Sequence, residues 1–369
     1  MALAALKTGP VAPVSWWRTA IGEDERTTIL DNLARERISM GTVTAELEAE
    51  LCRRLEVPFA VATTSGSVAL MMALLALDIG PGDEVIVPTR TFIATAHAAS
   101  LLGARVVLVD CTSQSPNLDV ERLAALITDR TKAIIPVHLN GRAVDARVYE
   151  IGRERGIPVI EDAAQALYSR TPQGYLGTLG AIGCFSFGMV KLASTGQGGA
   201  LVTGDEGLYR RLLAIRNHGV RDVVSHDYLG VGGNFKFSDI LASIGLWQVR
   251  HLPAKAAHCN AIYSRYAAAL ADFPYLDLVP VAVDEGEVAV WTEVTSPQRA
   301  AIVAHLAAQG IETRPFLPSV HSANHFAGTA AFPHSERFHA EGFNLPCGPA
   351  QPLQNVDRAI AALRSFDGS

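Results

Sequence analysis

The chain has 369 residues, with 31 Lys and Arg against 37 Asp and Glu, a formal net charge of −6, and no long basic block. That balance excludes a nucleic-acid surface or an anionic membrane as the main partner and points to small molecules. With 49% hydrophobic and 18% charged residues, it reads as a well-buried globular protein of two or three domains, without the signature of disorder.

The opening stretch, MALAALKTGPVAP, has too short an apolar run for a signal peptide before it meets Lys7 and two prolines. No stretch approaches a membrane span. In TTSGSVALMMALLAL, Ser65, Gly66 and Ser67 precede a strongly apolar helical run. Free N–H groups and hydroxyls at a helix start make a phosphate site, although an ordinary N-cap explains the same residues.

From Glu84 onward, short β-branched runs alternate with helical patterns. The runs are EVIVP from Glu84, RVVLVD from Arg105, KAIIPVH from Lys132, IPVIED from Ile157, GCFSF from Gly183 and GALVTG from Gly199. Between them, LDVERLAALITDR and DARVYEIGRERG have helical periodicity, the second closing on a glycine suited to a helix C-terminus. This is an α/β pattern with a largely parallel sheet, whose functional groups gather at the carboxyl ends of the strands. PTRTFIATAHAA places Phe92 just after a strand, as a cover for a cofactor ring or as a core side chain.

Asp162 closes the apolar strand of PVIEDAAQA, where a buried carboxylate calls for a cationic partner; a helix cap is the other reading. Glu161 should face the opposite way if the pleat persists. In FSFGMVKLASTGQGGA, Ser186 follows a strand and Lys191 stands ahead of the Gly198–Gly199 turn. A lysine here is a solvated loop group or an amine held for Schiff-base chemistry. Phosphate cradle, acidic strand end and then lysine, in that order, are the parts that pyridoxal phosphate requires. His97, His138 and His218 read as satisfied packed histidines.

After about Pro253 longer helices appear, such as AKAAHCNAIYSRYAAALAD, followed by a strand-like VAVWTEV. We therefore expect residues 1–250 to form a large domain and 251–369 a smaller carboxyl-terminal one. The five cysteines are scattered, with no CxxC pair and no metal-ligand spacing, which suits a reduced, cytoplasmic setting without disulfides or metal.

From about Ile38 to His321 the chain resembles the sugar aminotransferases of the DegT/DnrJ/EryC1/StrS type, a pyridoxal-phosphate family. The stretches that carry the resemblance are PGDEVIVPTRTFIATA, RTKAIIPVHLNG, VIEDAAQA, FSFGMVKLASTGQGG, IRNHG and GGNFKFSDILASIG. The resemblance implies an aspartate-aminotransferase-like fold (fold type I), with a mixed, mostly parallel sheet and a small carboxyl-terminal domain. It implies a homodimer with shared active sites. Lys191 becomes the Schiff-base lysine and Asp162 the partner of the pyridine nitrogen. Gln165 hydrogen-bonds near the phenolic oxygen, Phe92 stacks on the ring, and Gly66, Ser67 and Ser186 hold the phosphate with Ser65 beside them. Asn234 reaches the partner's phosphate, unless it caps the helix near Ser238.

The implied reaction moves an amino group from glutamate or glutamine, through pyridoxamine phosphate, to a keto sugar, most naturally one linked to a nucleotide. Arg314 and His321, in GIETRPFLPSVH, resemble the corresponding piece of perosamine-type enzymes. Three positions depart from the family pattern near the substrate: Gln197 replaces an acid, Lys236 replaces an arginine, and Asn140 stands where an aromatic is common. An aminocyclitol or other natural-product enzyme of the same fold, acting by transamination or elimination, is one alternative. A cofactor-binding fold retired from catalysis is the other, against which the complete Lys191 and Asp162 set counts.

Overall fold

A computed structural model describes residues 12–220, 224 and 227–368, so most of the stretch read for a signal peptide lies outside the described residues. The main sheet contains β1 (Phe59–Thr63), β2 (Glu84–Pro88), β3 (Arg105–Val109), β4 (Thr131–Ile134) and β5 (Ile160–Asp162). After a hairpin of β6 (Arg170–Thr171) and β7 (Gly174–Tyr175) it is completed by β8 (Ile182–Ser186) and β9 (Gly199–Thr203). The spatial order is β1-β9-β8-β5-β4-β2-β3, with β9 antiparallel to both neighbours and the remaining pairs parallel. Between β4 and β5 the ladder shrinks to the bridges Ile134 to Val159 and Val137 to Asp162. Pro136 has no N–H to donate there, but its carbonyl accepts from the Asp162 N–H at 2.9 Å.

The helices are α1 (Glu23–Ala34), α2 (Thr42–Leu55), α3 (Gly66–Ala76), α4 (Ala94–Leu101), α5 (Val120–Leu126), α6 (Arg147–Arg155), α7 (Glu206–Arg216) and α8 (Asp239–Arg250). They are followed by α9 (Leu252–Leu270), α10 (Arg299–Ala308), α11 (Pro333–Glu341) and α12 (Leu353–Arg364). Helix α3 is apolar nearly all round: Leu70, Met72 and Leu74 pack in one cluster with Val85, Ile160 and Leu201 of the sheet, while Val68, Met71 and Leu75 form a half-buried face. Helix α6 ends as read, on Gly156 at φ 64°. Helix α5 stops at Leu126, short of the expected Arg130. Thr128 and Arg130 instead turn to Glu84, bonding its carboxylate at 2.6 and 2.7 Å.

A second sheet, antiparallel, has the order β10 (Asp277–Leu278), β11 (Thr292–Thr295), β13 (Gly342–Leu345), β12 (Arg314–Pro315). The strand expected over VAVWTEV forms only from Thr292. Upstream, the side-chain amide of Asn140 holds the Trp291 N–H and carbonyl at 2.6 and 2.8 Å, and the Val288 N–H donates to Ser169 Oγ at 2.9 Å. Near the amino end, Val14 and Trp17 bridge to Ile311 and Cys347. No helix among the described residues is long and apolar enough to cross a membrane. All five cysteines are free thiols.

Since β1, β2, β4, β5 and β8 run in one direction, their carboxyl ends, Thr63, Pro88, Ile134, Asp162 and Ser186, share one edge of the sheet. Strand β9 begins at that edge with Gly199, which pairs with both Thr63 and Ser186.

Candidate active site

The start of α3 meets this edge. Ser65, in extended conformation, accepts the Val68 N–H on its Oγ at 3.1 Å and is the N-cap. The cap reading of Ser65 therefore holds, leaving the Gly66 and Ser67 N–H groups without an acceptor inside the helix. A Cβ on Gly66 would stand 2.8 Å from the Ser186 Cβ, and one on Gly199 would stand 2.6 Å from the Ser65 carbonyl oxygen. These close approaches hold the helix start, Ser186 and β9 together as a concave backbone surface suited to a phosphate.

Asp162 ends β5 and is buried; its carboxylate accepts from Thr95 Oγ1 at 2.7 Å and from the Ala164 N–H at 3.1 Å. Among the described residues it has no ion-pair partner. Burial raises its carboxyl above the ordinary range, against the opposing pull of Thr95, Ala164, Lys191 and His138. A buried carboxylate with no ion-pair contact fits a protonated ring nitrogen, whose charge would favour the ionised form. Lys191 lies in the loop after β8. Burial lowers its amine to about 8, and the negative charge of Asp162 opposes that fall. Its Nζ lies 5.4 Å from the centre of the Trp291 ring.

Phosphate cradle, lone buried acid and desolvated amine are thus brought to one sheet edge by four different strands. The profile of the DegT/DnrJ/EryC1/StrS aminotransferase family matches residues 19–364. The chain belongs to that family. GDP-perosamine synthase of Caulobacter vibrioides is 35% identical over 334 residues, 88% of this chain and 90% of that protein. dTDP-3-amino-3,4,6-trideoxy-alpha-D-glucose transaminase of Streptomyces venezuelae is 35% identical over 337 residues, 89% of this chain and 88% of that protein. The structure of S. venezuelae DesV with a ketimine intermediate has a TM-score of 0.92 at 32% identity, covering 97% of this chain and 100% of that one. The chain is an aminotransferase of fold type I, and its family uses pyridoxal phosphate.

The other residues singled out in this DegT-family sequence fall into distinct settings. Gln165 lies three residues past Asp162, and its Oε1 accepts the Asn140 N–H at 2.9 Å. Phe92 is 53% exposed and lines a cavity of about 140 Å³ with Gln165, Trp291 and Arg314. Arg314 stands over the Trp16 ring at 5.6 Å. Asn140 is fully buried, with φ 52°, and both ends of its amide are engaged by Trp291. His321 bonds Thr89 at 2.7 Å and lies 3.5 Å from Glu336, stacked on Phe332.

Lys236 donates to Asn217 Oδ1 at 3.1 Å and pairs by its backbone with Thr63. Asn234 is exposed, and Ser238 caps α8, bonding the Leu241 N–H at 3.4 Å. Glu161 does face away from Asp162: it accepts from Tyr149, meets His138 Nε2 at 2.8 Å, and receives the Gly177, Leu179 and Gly180 N–H groups. The packed-histidine reading of His138 is met by that network.

Three residues near the site carry no signal in the sequence reading. Thr95, in PTRTFIATA, fixes Asp162; Trp291 faces Lys191 and donates its Nε1–H to the Val190 carbonyl at 3.2 Å; Arg90 enters the 140 Å³ cavity beside Phe92. A separate cleft of about 930 Å³, lined in part by Asn217, Leu229 and Val231, contains none of the Lys191 and Asp162 group.

Proposed function

We propose that this chain transfers an amino group from glutamate or glutamine to a keto sugar carried on a nucleotide, producing an amino sugar. The observation that carries the reading is the desolvated Lys191 amine under the influence of the buried Asp162 charge, at the sheet edge that also holds the α3 start. Support for the substrate class comes from the GDP- and dTDP-linked sugars named in two relatives that each align with nearly nine-tenths of this chain.

In this reading the Gly66 and Ser67 N–H groups and the Ser186 hydroxyl hold the cofactor phosphate. Phe92 covers the ring, and Gln165 bonds near its phenolic oxygen. Asp162, oriented by Thr95 and Ala164, keeps the ring nitrogen protonated. Bound pyridoxal phosphate supplies an electron sink and a carrier for the amino group. Lys191, once neutral, would be the base that moves the proton at the donor carbon. Asn140 positions Trp291 against Lys191, while Lys236, Arg314 and His321 border the space for substrate. The reading divides the chain into units of 1–250 and 251–369, the second strapped by Val14 and Trp17, and places the enzyme in the cytoplasm.

The reading also makes the active unit a homodimer in which Asn234 serves the partner's cradle. Exposed apolar side chains in the segment just before Asn234 support it: Tyr228 is 66% exposed and Val231 79%. The test of the reaction is a single turnover. Holoenzyme mixed with glutamate should release 2-oxoglutarate, about one per site, and Lys191→Ala should release none. Wild-type holoenzyme that is inert to both glutamate and glutamine would set the reading aside.

A further inference from the structure

Arg90 lies two residues beyond the end of β2, 6% exposed, with its guanidinium 4.6 Å over the Phe316 ring. Among the described residues it donates no hydrogen bond and forms no ion pair, and its Nε is a buried donor without an acceptor. A second unmet group lies on the same cavity. Asn344, 7% exposed, gives its Nδ2 to the Arg314 carbonyl at 3.1 Å and leaves Oδ1 without a donor. Buried polar atoms are usually paired, and a buried N–H donor with no acceptor is expensive. Both side chains line one cavity, which suits a ligand with both acceptor and donor atoms.

Arg90 presents the planar fork that matches a carboxylate. The one acid on the cavity wall, Glu293, is already neutralised by Arg142 Nη1 at 2.5 Å, so the excess charge of Arg90 and Arg314 remains positive. A volume of about 140 Å³ is small beside the ~300–1,000 Å³ of pockets that enclose drug-sized ligands, and suits a group the size of an amino acid. Gln165 on the cavity wall ties the space to the Asp162 end of the site. We infer that Arg90 is the carboxylate anchor of the amino-acid donor, with the Asn344 Oδ1 placed to accept the side-chain amide N–H when that donor is glutamine. This rests on the aminotransferase reading above, and it names the donor as the substrate that Arg90 selects.

The test uses holoenzyme of wild type, Arg90→Lys and Arg90→Leu, each checked by circular dichroism and thermal unfolding. Three readouts are compared: the donor half-reaction with glutamate and with glutamine, calorimetric binding of glutarate as an unreactive carboxylate probe, and the acceptor half-reaction with a nucleotide-linked keto sugar. Arg90→Leu should raise donor KM roughly 30-fold or more, as expected for loss of a buried charged hydrogen bond, and abolish measurable glutarate binding. Arg90→Lys should fall between, because a point charge replaces the fork, and it carries the test if the leucine variant does not fold. The acceptor half-reaction should stay within about two-fold of wild type in every folded variant. Unchanged donor KM and glutarate binding in a folded variant overturn the inference, as does an effect confined to the acceptor half-reaction, which would assign the carboxylate to the sugar. Failure of the aminotransferase reading is separate: wild type itself would then show no donor half-reaction.

Discussion

At Lys191 two opposing influences act on one amine: burial favours the neutral form and the Asp162 charge favours the ammonium, with burial stronger and the balance at about 8. Only the neutral amine attacks an aldehyde. Covalent capture of pyridoxal phosphate by the apoprotein should therefore accelerate as pH rises through about 8, well below the 10.5 of an unperturbed lysine. Asp162→Asn removes the charge that favours the ammonium, so the midpoint should move to lower pH. The same change should slow the donor half-reaction on the order of a hundred-fold or more, since the ring nitrogen loses its anionic partner. Stopped-flow absorbance across the pH range measures both. A wild-type midpoint near that of free lysine, or an upward shift in the variant, would contradict this account of the pair.

Among the elements, the junction of α3 with β9 is the most tightly constrained. An added methyl at Gly199 meets the Ser65 carbonyl carbon at 2.5 Å and the Gly66 nitrogen at 2.7 Å, both backbone atoms that cannot swing aside. Gly199→Ala should therefore displace the cradle, with a strain of about 1–3 kcal/mol, and weaken pyridoxal phosphate binding about ten-fold or more. Titration of the apoprotein with cofactor checks this; binding as tight as wild type would mean that the α3 start does not hold the phosphate.

The runs that became β2, β3, β4, β5, β8 and β9 were readable because each is a short β-branched segment bounded by turn residues. Strand β1 was missed, as FAVAT is too short to stand out beside the helix that follows. The two-residue strands β10 and β12 leave no periodicity to detect. Asp162 stood out because a charged side chain at the end of an apolar strand is conspicuous, and Lys191 because it follows a phosphate cradle and that acid in the order pyridoxal phosphate requires. Trp291 and Arg90 did not, because their place in the site depends on contacts between distant segments. Asn140 and Trp291 are 151 positions apart, and their mutual hydrogen bonds are also what shortened the expected VAVWTEV strand. Ser65 is intermediate: the sequence allowed both cap and phosphate contact, and only the Val68 bond distinguishes the position of its hydroxyl.

For the molecule as a whole, the proposal is a dimer whose two sites each draw on both chains. The segment of Asn234 runs antiparallel beside the end of β1, with Lys236 opposite Thr63, and its exposed asparagine has the helix-capping role already filled by Ser238. If Asn234 serves the partner, pairing a Lys191→Ala subunit with an Asn234→Ala subunit gives one site with both lesions and one with neither. About half of the wild-type activity per mixed dimer should return, although each parent homodimer is inactive. Mixed dimers that are folded, paired and still inactive would place both residues in one chain's site. The central claim, that this molecule moves nitrogen from an amino acid to a nucleotide-linked keto sugar, is tested most directly by isotope transfer. Holoenzyme is incubated with glutamate labelled with ¹⁵N at its α-amino group and a panel of GDP-, dTDP- and UDP-linked keto sugars, and the products are read by mass spectrometry. The account predicts a ¹⁵N-amino sugar still attached to its nucleotide, absent with Lys191→Ala. Label that passes to free keto sugars or cyclitols while every nucleotide-linked acceptor stays unlabelled would contradict it.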